Sequence, residues 1–442
     1  MSDIPLADGP DQLPPPHPTR ESKKTRALVA FLGAALLFGP WAAYAAGARS
    51  QPVPGENRAL AGRPQIDGFD TFNQITAYAA DHFPLRDAAI RANKRLINDV
   101  FNEQPSYYGT SSNPQVLRGD DGWLYFMDDF NKACSPEISL DTVIKGVQRL
   151  NAMLAASGRR LVITVPPDKS TTDPQYLPKS FELKQCSEIA KEKRWKAIRA
   201  MNVPGYVDVR SAVEQQEKDK GKPAFLAYDT HWNQDSAVTF VESVVKKIDP
   251  TLLDHTQVQA GQVYKENGDL DILANGNPPK AFSYQAVYIV RDGVTPKLTE
   301  EPLAPKDGYT ITHVTSTTTG PATLFQPRVT WIGDSFTQRA LGHPADGAGS
   351  SKIAPFFANY VRVPELTKAI LANTSENNLY AKARARMIQE MVDSKVTVVE
   401  LVERTFAGVG GLGSMWSDTK YGPDQLDFLD QLQAALDKAP KQ

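Results

Sequence analysis

The chain has 442 residues, of which 41% are apolar, so it can bury a large core and exceeds a single small domain. Lys and Arg number 49 and Asp and Glu 51, a formal net charge of −2, which gives no support to a nucleic-acid partner or to chain-wide trapping of acidic polymers. The two cysteines, Cys134 and Cys186, are too few for an all-cysteine zinc site, and neither CxxC nor HExxH occurs, so no metal and no cofactor are expected.

Residues 1–26 are polar and proline-rich and carry Arg20, Lys23, Lys24 and Arg26 at their end. An uncharged apolar run follows at 27–48, and about 20 apolar residues span a bilayer. The basic flank precedes the run, so the positive-inside rule places 1–26 in the cytoplasm and the rest of the chain outside. The expectation is a single-pass signal anchor in the inner membrane, with the catalytic domain in the periplasm. A cleaved signal peptide is the alternative, because Ala43-Tyr44-Ala45 has the small-x-small form of a cleavage site. Export would let Cys134 and Cys186 form a disulfide, with two unrelated thiols as the alternative.

Residues 49–66, with Pro52, Pro54 and Pro64, read as a linker. Over 67–114 a helical segment is predicted: Phe69, Phe72, Ile75, Tyr78 and Ala79, then Ile90, Leu96, Ile97 and Val100, recur at helical spacing on either side of Pro84. The remainder, 115–442, reads as one catalytic domain. It opens with a turn and strand at GDDGWLYF, then a helix over about 141–157 closed by Gly158. Short apolar runs at 160–166, 206–209, 328–333 and 396–402 suit buried parallel strands. Helices are predicted near 187–200, 234–247, 350–393 and 424–438. The stretch 249–325 lacks helical periodicity and reads as an insertion with β character. Strands alternating with helices predict an α/β layer with a mostly parallel sheet.

Gly333-Asp334-Ser335 ends an apolar strand and precedes a predicted helix, at the edge of such a sheet where sites form. A serine on that turn exposes its hydroxyl beside backbone N–H groups able to stabilise an oxyanion. The bland reading is an ordinary N-cap serine. A serine nucleophile needs a base, and of six histidines His231 stands in Asp229-Thr230-His231-Trp232. A carboxylate two residues before a histidine can fix its tautomer and stabilise its imidazolium, and Trp232 can shield the pair from water. A structural Asp–His turn or a metal ligand are the alternatives.

DTHW followed by a later GDSF resembles the alginate O-acetyltransferase family of the AlgJ/AlgX type, whose catalytic domains are similar to SGNH hydrolases. Further stretches carry the resemblance in order: Glu56-Asn57-Arg58 with Asp81–Arg86, then Gly119–Tyr125, Pro166–Lys169 and Val398–Arg404. It implies a flavodoxin-like parallel sheet flanked by helices and circularly permuted, since Asp–His precedes Ser. It implies Ser335 as nucleophile, His231 as general acid/base and Asp229 as its orienter, with Lys169, Trp232 and Arg404 as substrate contacts. A Glu403–Arg404 pair closing the last strand is the structural alternative. The implied reaction moves an acetyl group through a serine acyl-enzyme to hydroxyls of an exopolysaccharide, alginate-like or cellulose-like. The implied partners are that polysaccharide and a membrane-bound O-acyltransferase that delivers the acetyl group. A chain ending soon after its last helix points to the AlgJ type, without an appended carbohydrate-binding module. A carbohydrate acetyl esterase with the same triad and a non-catalytic export scaffold are the rival readings.

Overall fold

The structure is a computed structural model. It describes residues 115–136, 138–275, 281–302, 310–320, 322–341, 356–363, 379–406 and 428–442, with 44–48, 61–64, 70–84 and isolated positions elsewhere in the first 86. The chain divides into two compact units, Met1–Ala92 and Asn93–Gln442. In the first, helix α1 (Asp70–Asp81) matches the predicted periodicity. The Ala61 N–H donates to Asp81 Oδ2 at 2.8 Å, and His82 Nε2 lies 2.8 Å from Ala61 O, so the helix end pins the chain entering it. Half of the expected anchor over 27–48 falls outside the described residues, and the expected helix after Pro84 falls almost wholly outside them. Among the described residues, no helix is long and apolar enough to cross a membrane.

The second unit begins with a hairpin, β1 (Val116–Arg118) and β2 (Leu124–Phe126), then α2 (Asp128–Cys134) and α3 (Leu140–Ala156). Ser139 caps α3, its side chain accepting from Thr142 N at 3.1 Å, and Gly158 closes it at φ +79°, a left-handed turn that favours glycine. Next come β3 (Arg160–Thr164), the short α4 (Lys169–Thr172), α5 (Lys184–Arg199), β4 (Tyr206–Val207), α6 (Val209–Lys220) and α7 (Gln234–Ile248). After them lie β5 (Thr256–Asn267), α8 (Asp269–Asn275), β6 (Ala281–Arg291), β7 (Val294–Pro302), β8 (Thr310–Thr318) and β9 (Val329–Ile332). The chain continues through α9 (Ser335–Leu341), β10 (Asn359–Val363), α10 (Leu379–Asp393), β11 (Val396–Glu400), α11 (Glu403–Phe406) and α12 (Phe428–Leu436).

One sheet organises the unit, with strand order β4-β3-β11-β9-β10-β8-β7. The five strands from β4 to β10 are parallel, and β8 and β7 add an antiparallel edge. Strand side chains alternate between two cores, as a period of two requires. Val329, Trp331, Val396 and Val398 face one core with Phe240, Val241 and Val244 of α7. Ile332, Val399 and Ile163 face the other with Val147 and Leu150 of α3, Met387 of α10 and Leu432 of α12. Both faces are therefore covered, which is why these strands read as continuous apolar runs.

The expected mostly parallel α/β sheet is present, with four departures from the predicted elements. Helix α6 starts at the end of the strand expected over 206–209 and runs through residues for which no helix was expected. Asp208 caps it, accepting from Ser211 N at 3.1 Å, and its charged run Glu214–Lys220 hides the helical period. Within 350–393, expected to be helical, residues 359–363 form β10, paired to β9. In the 249–325 stretch a short helix, α8, interrupts the β pieces. The same stretch is not wholly an appendage either: β5 and β6 pair with each other, whereas β7 and β8 extend the main sheet.

Candidate active site

From β9 the chain moves to β10 on one side and then returns to β11 on the other. Such a reversal opens a crevice at the carboxyl ends of the two central strands, here β9 and β11. Gly333-Asp334-Ser335 follows β9, and Glu400 ends β11. The DTHW segment arrives from the loop before α7. The Leu226 N–H donates to His231 O at 3.2 Å and the Asn233 N–H to Ala224 O at 2.9 Å, which closes this loop on itself. Asn233 then caps α7 through Ser236 N at 3.0 Å.

Asp229 is buried and holds His231 twice. Its Oδ1 accepts from the His231 backbone N–H at 2.9 Å and lies 2.7 Å from Nδ1. Burial pushes the Asp229 carboxyl up, but the His231 charge and hydrogen bonds, aided by Arg339, win and hold it well below the usual carboxylate range. The ring of His231 packs 5.1 Å from that of Phe336, the residue after Ser335. His231 Nε2 is buried and makes no hydrogen bond within the protein, so it and the Ser335 hydroxyl are not paired in this resting arrangement. Such catalytic bonds commonly tighten only with substrate in place.

Ser335 is exposed between buried neighbours at the start of α9. The first-turn amides around it are taken: Phe336 N–H donates to Asp334 Oδ1 at 2.9 Å and Thr337 N–H to Glu400 Oε2 at 3.2 Å. Glu400 Oε2 also accepts from Asp334 N at 3.0 Å and Thr337 Oγ1 at 2.8 Å. Asp334 Oδ2 in turn accepts from Val402 N at 2.9 Å. Two carboxyls thus brace the turn from both sides and leave the Ser335 N–H as its open donor. Burial and the neighbouring Asp334 push Glu400 well above the usual carboxylate range.

The three residues expected to touch substrate take other parts. Lys169 is only 1% exposed, and its Nζ donates to Leu124 O, Ala227 O and Asp229 O at 2.6, 2.8 and 3.0 Å. Burial pushes its pKa down to about 7 against the pull of Asp229 and Asp269, while three acceptors match the three protons of an ammonium. It is a strut beneath Asp229, with no donor left for a ligand. Trp232 is fully buried and packs between Phe240 and Phe336, so it shields the site from behind and offers no face to a sugar. Arg404 is 8% exposed and pairs with Asp168 at 2.9 Å, its guanidinium 5.4 Å from the Phe336 ring. Glu403 lies in the same buried network, accepting from Asp168 N at 3.1 Å and Thr171 Oγ1 at 2.6 Å. The structural alternative therefore describes Glu403 and Arg404, though through Asp168 and Thr171 and not through each other. Cys134 and Cys186 form a disulfide, Cα–Cα 5.6 Å, tying the end of α2 to the start of α5.

Two site residues escaped the sequence reading. Asp269, at the start of α8, bonds Thr230 and lies 40 positions from Asp229, too far for any spacing pattern to reveal. Glu400 sat in a motif, but its partner 66 positions away is visible only once β9 and β11 are neighbours. Among the described residues, Asp229, His231 and Asp269 are the group whose ligand atoms lie close enough for a metal ion, within 4.8 Å. His231 Nδ1 is already committed to Asp229, which favours a proton there over a metal. A separate cavity of about 530 Å³ is lined by Tyr176, Gln175, Glu217 and Lys222 among others and contains none of Asp229, His231 or Ser335.

A family model described as an SGNH hydrolase-like domain, acetyltransferase AlgX, matches residues 116–344. The probable alginate O-acetylase AlgJ of Pseudomonas fluorescens is 28% identical over 186 residues, 41% of this chain and 42% of that protein. That of Pseudomonas aeruginosa is 27% identical over 236 residues, 51% of this chain and 55% of that protein. The chain thus spans about half the length of the curated relatives it matches. Among solved structures, the O-acetyltransferase domain of Pseudomonas putida AlgJ is similar over 73% of this chain and 99% of that one, at 17% identity and a TM-score of 0.43.

Proposed function

The chain belongs to the AlgJ/AlgX-type family of SGNH hydrolase-like domains, and on that premise we propose that it is an O-acetyltransferase that acylates Ser335 and passes the acetyl group to a hydroxyl of an exopolysaccharide. One observation carries the reading: His231 is tied through Nδ1 to Asp229 at 2.7 Å, with Nε2 left without a protein partner against the residue that follows Ser335. The Ser335 hydroxyl attacks the acetyl carbonyl as His231 Nε2 takes its proton, and Asp229 stabilises the imidazolium. The Ser335 N–H donates to the developing oxyanion. The donor's leaving group departs with the proton from His231. A sugar hydroxyl, deprotonated by the same nitrogen, then attacks the acyl-enzyme and frees Ser335.

The sheet order supports a permuted arrangement. Numbering the parallel strands from β9 gives the flavodoxin-like order 2-1-3-4-5, with the Asp–His loop after the last. The relatives are named for alginate, which makes an alginate-like polymer the first acceptor to try. The apolar run at 27–48 supports an inner-membrane anchor holding the domain in the periplasm, beside a membrane-bound O-acyltransferase that supplies the acetyl group.

The test uses an activated acetyl ester with and without oligosaccharide, with mass spectrometry of the protein and of the sugar. The expected outcome is an acetyl adduct on Ser335 that transfers to sugar, and no adduct in Ser335→Ala. Hydrolysis alone at every acceptor concentration would instead assign an esterase, and normal acetylation by Ser335→Ala would assign a scaffold.

A further inference from the structure

The mechanism above leaves one carboxylate at the site without a task. Asp269 comes from the stretch between α7 and β9, remote in sequence from both motifs. Both its oxygens bond the residue between Asp229 and His231: Oδ1 accepts from the Thr230 N–H at 2.7 Å and Oδ2 from Thr230 Oγ1 at 2.5 Å. Its own backbone N–H donates to Asp229 Oδ2 at 3.3 Å. Asp229 is therefore held at both oxygens, one by His231 and one by Asp269, and its carboxylate plane cannot turn.

The approach is close because residue 268 is glycine. A Cβ there would stand 2.1 Å from Tyr228 O, and the Asp271 N–H reaches the same oxygen at 3.3 Å. The side chain of Asp269 remains 39% exposed; burial of its carboxyl and the neighbouring Asp229 push its pKa up, against the pull of His231 and the two Thr230 hydrogen bonds. Its Oδ2 stands 3.7 Å from His231 Nδ1, beyond a hydrogen bond and within reach of charge. The other charged groups facing this cluster are Asp229 itself, Lys169 beneath it, and Arg339 of α9, which pairs with Glu266 at the end of β5.

We propose that Asp269 is a positioning residue of the acyl-transfer site, a second carboxylate that locks the Asp229–Thr230–His231 segment and shares the charge of the imidazolium formed when His231 takes the serine proton. This rests on the acyl-transfer reading of the site. It makes the insertion a working part of the active site: α8 docks on the Asp–His loop and sets its geometry.

The experiment compares the full chain with Asp269→Asn and Asp269→Ala, using 4-nitrophenyl acetate as the acyl donor. Asn keeps the shape and can still bond Thr230, so the fold should hold. In Asp269→Asn the acylation kcat should fall about tenfold with KM unchanged. The acid limb of its pH profile should move down by about half a unit, because an imidazolium that loses a partly exposed carboxylate gives up its proton sooner. Asp269→Ala should lose more. An Asn variant with the rate and profile of the parent overturns the proposal, as does a loss that merely tracks unfolding. An NMR titration of His231 keeps the two readings apart. Its midpoint should drop in Asp269→Asn whether or not the protein acylates, and an unmoved midpoint overturns the Asp269 role. A parent protein that never acylates Ser335 overturns only the acyl-transfer reading.

Discussion

Replacing Gly333 by alanine would place a methyl group 2.0 Å from Thr337 Oγ1 and 2.6 Å from Glu400 Oε2. Ordinary contact begins at 3.4 Å, so the hydroxyl must retreat by about 1.4 Å. That hydroxyl donates to Glu400 Oε2 at 2.8 Å and accepts from Trp331 Nε1 at 3.1 Å, and both partners are fully buried. Glu400 keeps its amide donors, so Trp331 Nε1 is the group left orphaned, at about 1–3 kcal/mol, and overpacking adds about 1–3 more, for an expected loss of about 2–6 kcal/mol. Glu400 Oε2 also carries the amides of Asp334 and Thr337, so Ser335 moves with it. A shift of about 1 Å there should slow acylation roughly a hundredfold. Urea unfolding followed by tryptophan fluorescence reads the first effect, and turnover of an activated acetyl ester reads the second. Thr337→Ala in both backgrounds closes the cycle. Alone it should cost about 2 kcal/mol; on Gly333→Ala it removes the contact at 2.0 Å but leaves that residue's own Cβ at 2.5 Å and Glu400 Oε2 at 2.6 Å, so the double variant should lose less than the sum of the two single costs. A Gly333→Ala protein within about 0.5 kcal/mol of the parent, or costs that simply add, would refute this account of the turn.

Lys169→Met should take a donor from three backbone carbonyls, of which Ala227 O keeps the Leu124 N–H at 2.9 Å, and relief from burying an ammonium offsets part of that cost. A net loss of about 3 kcal/mol in thermal unfolding is expected, with slower acylation because Asp229 O is one of the three. An unchanged melting temperature contradicts it. Asp173 is pushed up to about 7 by burial and by the adjacent Glu217. Its folded pKa is raised above the unfolded value near 3.9, so between about pH 4 and 7 the folded state holds a proton the unfolded chain has released. Stability therefore falls as pH rises through that window, and Asp173→Asn should flatten the urea-midpoint profile there; a profile parallel to the parent's would sink the assignment. Removing the Cys134–Cys186 bridge by a double alanine change frees a loop with a sequence separation of 52 and should cost about 4 kcal/mol in denaturant unfolding. A midpoint unmoved by the change would show that the loop is already ordered without it.

Local chemistry carried much of this protein's design into the sequence. Runs such as Arg160–Thr164 and Val396–Glu400 are legible as parallel strands because both faces of the sheet are covered, which leaves no polar alternation. The Asp229–His231 pair is legible because its two members sit two residues apart and bond directly. Ser335 is legible because a strand-to-helix turn leaves a mark in the residues on either side of it. What failed to show were contacts made by distant segments. Strand β10 and the β7–β8 edge depend on pairing with strands elsewhere in the chain. Lys169 reads as a substrate contact until the carbonyls of Leu124, Ala227 and Asp229 close around it. Asp269 and Glu400 gain their roles only when α8 meets the Asp–His loop and β11 lies beside β9. Periodicity and short spacings record burial along one element, whereas the partner of a buried polar group is settled by which elements the folded sheet makes neighbours.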